Sequence, residues 1–280
     1  MSAPIAPMAG QGEESRLERR DSKFPVDVNT LIGPYPFRHV PHPDPEILVR
    51  VLDREGIEQA WVGHLPSAFY RDPLLGNVEL LKALRPFEDR LRPVPTIRPD
   101  WPKWERSLRE LADVNAPAVR AYPSQWGLGP HDSRMLELAN AAGAQGIALV
   151  VTVRFEDLRQ RHQMDSVGDL SAAAIRALAR SGDRVRLVVT AAGREMIEEV
   201  HWGLTEKEQQ RVFWDISWIW GPPEDHLAKL LRTIGPERFV FGTQWPMRLT
   251  QTPRANLDLL PPDVAGVQLA DARTICGGGR

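Results

Sequence analysis

A single cysteine, Cys276, serves a chain of 280 residues. One thiol makes no internal disulfide, which excludes a disulfide-stapled scaffold and sets the expectation of a reducing compartment, the cytoplasm. No apolar run of about 18 residues occurs, so no membrane partner is expected. Residues 1–22 lack the apolar centre of a secretory signal and are expected to form a flexible arm. The formal charge is only −2, without the basic excess that marks nucleic-acid binders. Lysine is scarce as well: the 35 basic residues are 30 Arg and 5 Lys. Arginine is the better fork for planar anions, so where the arginines stand matters more than their number. No Gly-x-Ser-x-Gly elbow is present, which removes the case for a serine hydrolase.

What is present is alternation. Short β-type runs occur at 24–29, 58–63, 92–97, 117–122, 147–153, 185–190, 211–217 and 238–243, with helix-type stretches between them. The helix candidates are 45–55, 74–84, 102–113, 132–142, 170–181, 194–201 and 224–234, with a last one near 263–272. Asp44-Pro45 and Asp132 read as helix starts, and Gly143 as a stop. Strictly alternating strands and helices imply a parallel sheet. Eight such units predict an α/β fold, a (β/α)8 TIM barrel over 23–275 as a single domain, with a C-terminal tail at 276–280. The alternative, a doubly wound sheet, wants a Gly-rich turn after the first strand, and none is there.

Three stretches carry a family resemblance. "VDVNTLIG" (26–33) is similar to the Asp-x-His-x-His-x-Gly of first strands in the amidohydrolase superfamily. "RLVVTAAG" (186–193) is similar to its sixth-strand segment, which usually carries a His. "FGTQWPM" (241–247) resembles the last-strand Phe-Gly-Ser/Thr-Asp-Trp/Tyr-Pro-His. The chain thus resembles the amidohydrolase-related branch, which includes decarboxylases and lactone hydrolases, over roughly 24–275. The departures fall on chemistry. Asn29 and Leu31 stand where the family has histidines, Thr190 or Ala191 replaces the sixth-strand His, and Gln244 replaces the last-strand aspartate. Neutral amide oxygens without imidazole or carboxylate make a poor zinc site, so neither a barrel-centred metal nor another cofactor is expected. The resemblance to metal-independent lactone hydrolases implies arginines that polarise a carbonyl, but Gln244 takes no proton at neutral pH.

Side chains alternate along a strand, and barrel enzymes work at the C-terminal strand ends. Counting by parity places Asn29, His64, Arg98, Arg120, Tyr122, Arg154, Thr190, Asp215 and Gln244 inward at the mouth. Asp215 and His64 are the candidate proton carriers. The others are candidate substrate contacts, with Arg98, Arg120 and Arg154 as a clamp for a small carboxylate or phosphate. The competing readings are local ion pairs, Arg98 with Asp100 and Arg154 with Glu156 or Asp157. For His64 the competing reading is a loop histidine bonded to backbone. The charged stretch 152–163 is either a lid or a solvated helix face, and Trp214, Trp218 and Trp220 either wall a pocket or pack. Three functions remain open: a metal-independent hydrolase of a small anion, a non-catalytic barrel that binds an anion or a partner subunit, and a metal enzyme with ligands drawn from His39, His42, His64 and His162. Assembly into homo- or hetero-oligomers is left open too.

Overall fold

The computed structural model describes residues 24–114 and 116–276. The expected arm at 1–22 and the last four residues of the tail lie outside them.

Eight parallel strands run β1 (Phe24–Ile32), β2 (Ile57–His64), β3 (Leu91–Pro93), β4 (Ala118–Ala121), β5 (Ala148–Thr152), β6 (Leu187–Thr190), β7 (Val212–Asp215) and β8 (Phe239–Val240). They pair as two arcs, β1-β2-β3 and β4 through β8 in order. Both gaps between the arcs are bridged. Thr96 pairs with Arg120, and Arg120 N donates to Pro95 O at 2.8 Å. On the other side Thr30 pairs with Trp245, and Val28 N donates to Phe241 O at 3.0 Å. The ring closes as a (β/α)8 barrel, and no edge is left open between the arcs.

The helices follow the expected pattern: α1 (Pro45–Glu55), α2 (Pro73–Leu84), α3 (Trp104–Glu110), α4 (Ser133–Ala144), α5 (Ala172–Arg180), α6 (Arg194–Trp202), the short α7 (Glu206–Gln209), α8 (His226–Thr233) and α9 (Gln251–Asp258). Asp132 caps α4 by accepting from Arg134 N at 3.0 Å. Gly143 does not stop that helix, which runs one residue further; it lies buried against the backbone of Arg184. The helix expected near 263–272 is absent. Pro261-Pro262 ends the preceding helical run, and α9 lies ahead of them, with a single 3-10 turn at Ala272–Thr274. Cys276 is not on a free tail: its thiol donates to Pro117 O at 3.0 Å, and burial pushes it up to about 11.

Two apolar layers record which way each strand faces. Val26, Val28, Trp61, Val94, Ala118, Val150, Val188 and Val240 pack together inside the ring. Ala60, Val62, Val119, Val151, Val189 and Trp214 pack outward with helix residues such as Leu48 and Leu80. Parity is therefore as expected on β3 through β8. On β2 it is the reverse: Trp61 and Gly63 face in, and His64 faces the helices.

Strand β1 needs a further device. Asp27 pairs with Ala60 and Thr30 with Val62, so two residues, Val28 and Asn29, oppose the single Trp61. This bulge lets Val28 fill the interior while Asn29, next in sequence, also turns into the mouth.

Candidate functional site

The bulge delivers Asn29 to the centre of the strand ends. Its Nδ2 donates to Asp215 Oδ2 at 2.7 Å, and its Oδ1 accepts from both terminal nitrogens of Arg120 at 3.2 Å. One amide thus joins a carboxyl group to a guanidinium, and all three side chains are buried. Asp215 also accepts from Ser217 Oγ at 2.7 Å and from Ala191 N at 2.8 Å. Ala191 presents that N–H from a left-handed conformation, φ 61°. Such a backbone is sparse for a residue with a side chain and tends to mark function. Desolvation raises the Asp215 pKa above the usual carboxylate range. The hydrogen bonds and Arg120 oppose that rise. Gly242 leaves room for the carboxyl: a Cβ there would stand 2.8 Å from Asp215 Cβ and Oδ2.

Asp27, one layer below, ties β1 to the loop after β8. It accepts from Asn29 N at 3.0 Å, Thr243 N at 3.1 Å and Thr243 Oγ1 at 2.6 Å. Burial nevertheless pushes it up to about 6. Gln244, φ 59°, is fully engaged. Its amide oxygen accepts from Trp218 Nε1, and its Nε2 donates to Arg154 O at 3.1 Å and Phe155 O at 3.3 Å. Thr190 bonds Thr152 Oγ1 at 3.1 Å across β5 and β6. Tyr122 is buried beside Arg120. Neither its hydroxyl nor Arg120 Nε makes a well-aligned hydrogen bond, although the guanidinium is near enough to oppose the rise that burial imposes on the phenol.

The remaining expected residues stand apart. His64 points away from the mouth, toward α2; its Nδ1 meets Ser67 Oγ at 2.9 Å and its Nε2 lies 3.3 Å from Glu79 Oε2. The physical reason is the facing of β2: bulky Trp61 takes the interior slot. Burial lowers the pKa of His64, with Glu79 opposing. Arg98 does not join a clamp but forks onto Asp100 at 2.8 and 3.0 Å and stacks over Trp126. Arg154 pairs with Asp169 at 2.7 Å, not with Glu156 or Asp157. Three buried like charges would have been costly side by side; the fold keeps one inside and pairs two at the rim. Past Thr152, the last residue of β5, the stretch to 163 is a turn-rich loop, not a helix. It drops Phe155 into an aromatic cover over the mouth with Tyr35, Phe37, Phe69 and Tyr122, at centroid distances of 5.4 to 5.9 Å. Of the three tryptophans, Trp214 is core, whereas Trp218 stands at the mouth on Gln244.

Sequence reasoning missed Arg248. Its guanidinium carbon lies 4.5 Å from the Trp218 ring centre and 5.9 Å from that of Trp220. The signal was its place just after "WPM" on the last strand's loop, at the same end of the barrel as the other candidates.

No family model matches the chain, and no curated protein matches it. Solved structures do. A 5-carboxyvanillate decarboxylase from Sphingomonas paucimobilis superposes with a TM-score of 0.64 at 13% identity, covering 91% of this chain and 99% of that one. A dihydroxybenzoic acid decarboxylase from Polaromonas sp. JS666, with bound manganese and the inhibitor 2-nitroresorcinol, gives 0.65 at 12% identity, over 90% and 96%. An amidohydrolase from Mycobacterium avium subsp. paratuberculosis K-10 gives 0.61 at 16% identity, over 85% and 75%. The fold is the amidohydrolase barrel. The manganese of one neighbour raises the question of a metal here, and the residues at this barrel mouth do not fit one. Its inward groups are amides, hydroxyls, a guanidinium and a single carboxyl already holding three donors. The oxygens of Asn29 and Gln244 are taken by Arg120 and Trp218. Among the described residues no group of three or more His, Cys, Asp or Glu converges. A fixed guanidinium at the centre adds repulsion for a cation.

Proposed function

We propose that this barrel is a metal-independent hydrolase of a small anionic ester or lactone, with Arg120 supplying positive charge and Asp215 moving the proton. The observation that carries it is the buried Asp215–Asn29–Arg120 bridge, with the Arg120 Nε and the Tyr122 hydroxyl beside it, neither of which makes a well-aligned hydrogen bond within the described residues. Buried donors left poorly satisfied are rare and costly, and at a barrel mouth they suit an oxygen that a substrate brings.

In this reading a carbonyl oxygen takes the place those two donors leave. Asp215, ionised, accepts a proton from water as the water oxygen bonds to the carbonyl carbon. The negative charge that develops on the carbonyl oxygen is held by Arg120 and Tyr122. When the intermediate collapses, the acyl C–O bond breaks and Asp215 returns its proton to the departing alkoxide. A carboxyl with a raised pKa is better matched to that exchange near neutrality than an ordinary aspartate. The scale of the task selects the substrate. Metal coordination can bring the pKa of water from about 15.7 to about 7, on the order of 12 kcal/mol of activation. General base catalysis contributes typically 10²–10⁴-fold, which suffices for esters and lactones sooner than for amides.

The test is turnover of a panel of lactone and ester acids by protein purified and assayed in chelator. Hydrolysis should persist in chelator and fall at least about 100-fold in Asp215→Asn. Activity lost to chelation and restored by a divalent ion, or an Asp215→Asn variant as fast as the parent, would sink the reading. The second reading, a barrel that binds without catalysis, is favoured by the closure of the mouth: Asn29 is 1% exposed, and Arg120 and Asp215 are 0%. A panel with no substrate would make it the better one.

A further inference from the structure

Gly63, one residue before the end of β2, pairs in register with Leu31 on β1, and the side chain it lacks would project between Leu31 and Arg120. Its backbone does not call for glycine: Gly63 is not among the glycines with positive φ. Glycine inside a strand weakens it, and there it often marks a place that a ligand or another backbone approaches closely. No other backbone is the reason here. The three atoms nearest to where a Cβ would stand all belong to side chains. Nor does Arg120 need the room, because its Cδ and Nε would lie 3.6 Å from that Cβ, an ordinary contact. Only the Leu31 methyl Cδ2, at 3.0 Å, would be crowded.

What Gly63 adjoins gives the space a use. Arg120 Nε is one of the two buried donors that make no well-aligned hydrogen bond, and the Tyr122 hydroxyl is the other. Tyr122 and Leu31 pack in the same apolar layer, with Phe155 and Leu65, under the aromatic cover. An oxygen bonded to Nε stands about 2.9 Å from it. The carbon attached behind that carbonyl can then run back along the Arg120 stem. The point beside Gly63 is at carbon contact distance from that stem, and the Leu31 methyl is its second wall. Both walls are hydrocarbon. With one at 3.6 Å and the other at 3.0 Å, a single carbon fills the space and a branched one does not fit. A ligand carbon, not tied to the strand, can shift off Leu31 where a Cβ cannot. We infer that Gly63 is a specificity-determining residue whose missing side chain forms the notch for the α-carbon of the acyl group, restricting substrates to acyl groups unbranched there. This rests on the reading that Arg120 holds the substrate carbonyl, and deepens it by naming the acyl side of the ester or lactone.

Calorimetric titration with formate, acetate and trimethylacetate, the acids such acyl groups become, tests the inference without requiring turnover. The parent protein should bind acetate at least as tightly as formate, and trimethylacetate more weakly than both. Gly63→Ala puts a methyl group where the methyl of acetate would lie. It should weaken acetate at least about tenfold and formate less than about threefold, so that the preference reverses. A merely structural glycine would weaken both acids alike. Leu31→Val tests the notch from its other wall and covers the case in which Gly63→Ala does not fold. It removes the crowding methyl, and trimethylacetate should gain at least about tenfold on acetate. An acid preference unchanged in the folded variants, or no binding of any of the three acids by the parent, overturns the notch even if lactones are hydrolysed. A preference that shifts as stated with no ester hydrolysed leaves the notch standing and removes the hydrolase.

Discussion

The arginines of the barrel mouth live under two regimes. Arg120 is wholly inside, on a strand, and reaches its carboxyl through an intermediary amide. Arg98, Arg154 and Arg248 stand at the rim, on strand ends and loops, where they pair with Asp100, with Asp169 or lie on indoles. A charge without water must be bonded on nearly every side, so it organises its neighbours; a charge at the rim has water as a fallback and organises little. The inner group is therefore as much a part of the fold as a core leucine, whereas the rim groups are free to serve a ligand.

The largest expected effect is on the inner arginine. Arg120→Met leaves Asp215 and the Asn29 amide oxygen without their cation and donors. It should cost about 3–5 kcal/mol in urea unfolding, the range for breaking a buried pair. Sequence alone offers Arg120 as one member of an anion clamp; its complete burial makes it a structural group as well. A variant as stable as the parent would place Arg120 in the rim regime after all.

Asp27 should write the inner regime into the pH dependence. Its folded pKa of about 6 exceeds the ordinary aspartate value of 3.8. The folded state therefore holds the proton more firmly than the unfolded chain does. Stability contributed by this group is complete below the unfolded value and is lost as pH rises through about 6, by about 3 kcal/mol over some two pK units. Asp27→Asn should flatten stability between pH 4 and 6, measured by denaturation across that window. A slope of the same size in the variant would assign it elsewhere; Asp215, also raised by burial, contributes in the same direction.

Gln244→Ala comes next. It orphans Trp218 Nε1 and the carbonyls of Arg154 and Phe155, and should cost about 1–3 kcal/mol. The smallest effect is expected at Arg98. Arg98→Met removes a partly exposed pair with Asp100 and should change stability by at most about 1 kcal/mol. A larger loss would mean that the rim is not as independent as its exposure implies.

Much of this was legible in the sequence, and for identifiable reasons. Eight apolar runs at regular spacing are a strong periodic signal, and the ring they form needs no long-range information beyond parity. Asn29, Arg120, Asp215 and Gln244 were found as inward residues at strand ends. Asn29 arrived there through a bulge that parity does not foresee, since Val28 also faces in. His64 was misplaced because β2 could be counted from either phase, and the phase is decided by which residue the barrel interior accepts, here Trp61. The fates of Arg98 and Arg154 depend on which acid is nearest after loops have folded. The aromatic cover draws Tyr35, Phe37, Phe69 and Phe155 from three separate loops, and no local pattern announces such a meeting. Pro261-Pro262 disfavours a helix beginning at 263, and Arg248 carries little local signal because it follows a motif instead of lying in it.

The aromatic cover has a kinetic and thermodynamic reach of its own. Tyr35, Phe155 and Tyr122 are each within 4% of full burial, so the closed arrangement and a molecule seated on Arg120 compete for one space. Entry then draws only on the fraction of barrels whose cover stands open, and the apparent dissociation constant is the intrinsic one divided by that fraction. An opening free energy of about 2.8 kcal/mol would dilute affinity about a hundredfold, and trimming Phe155 would return part of it without touching a single polar group. If a small anion binds at Arg120 as proposed, the cover sets an occupancy threshold: the site fills only when the concentration is high enough to hold the door.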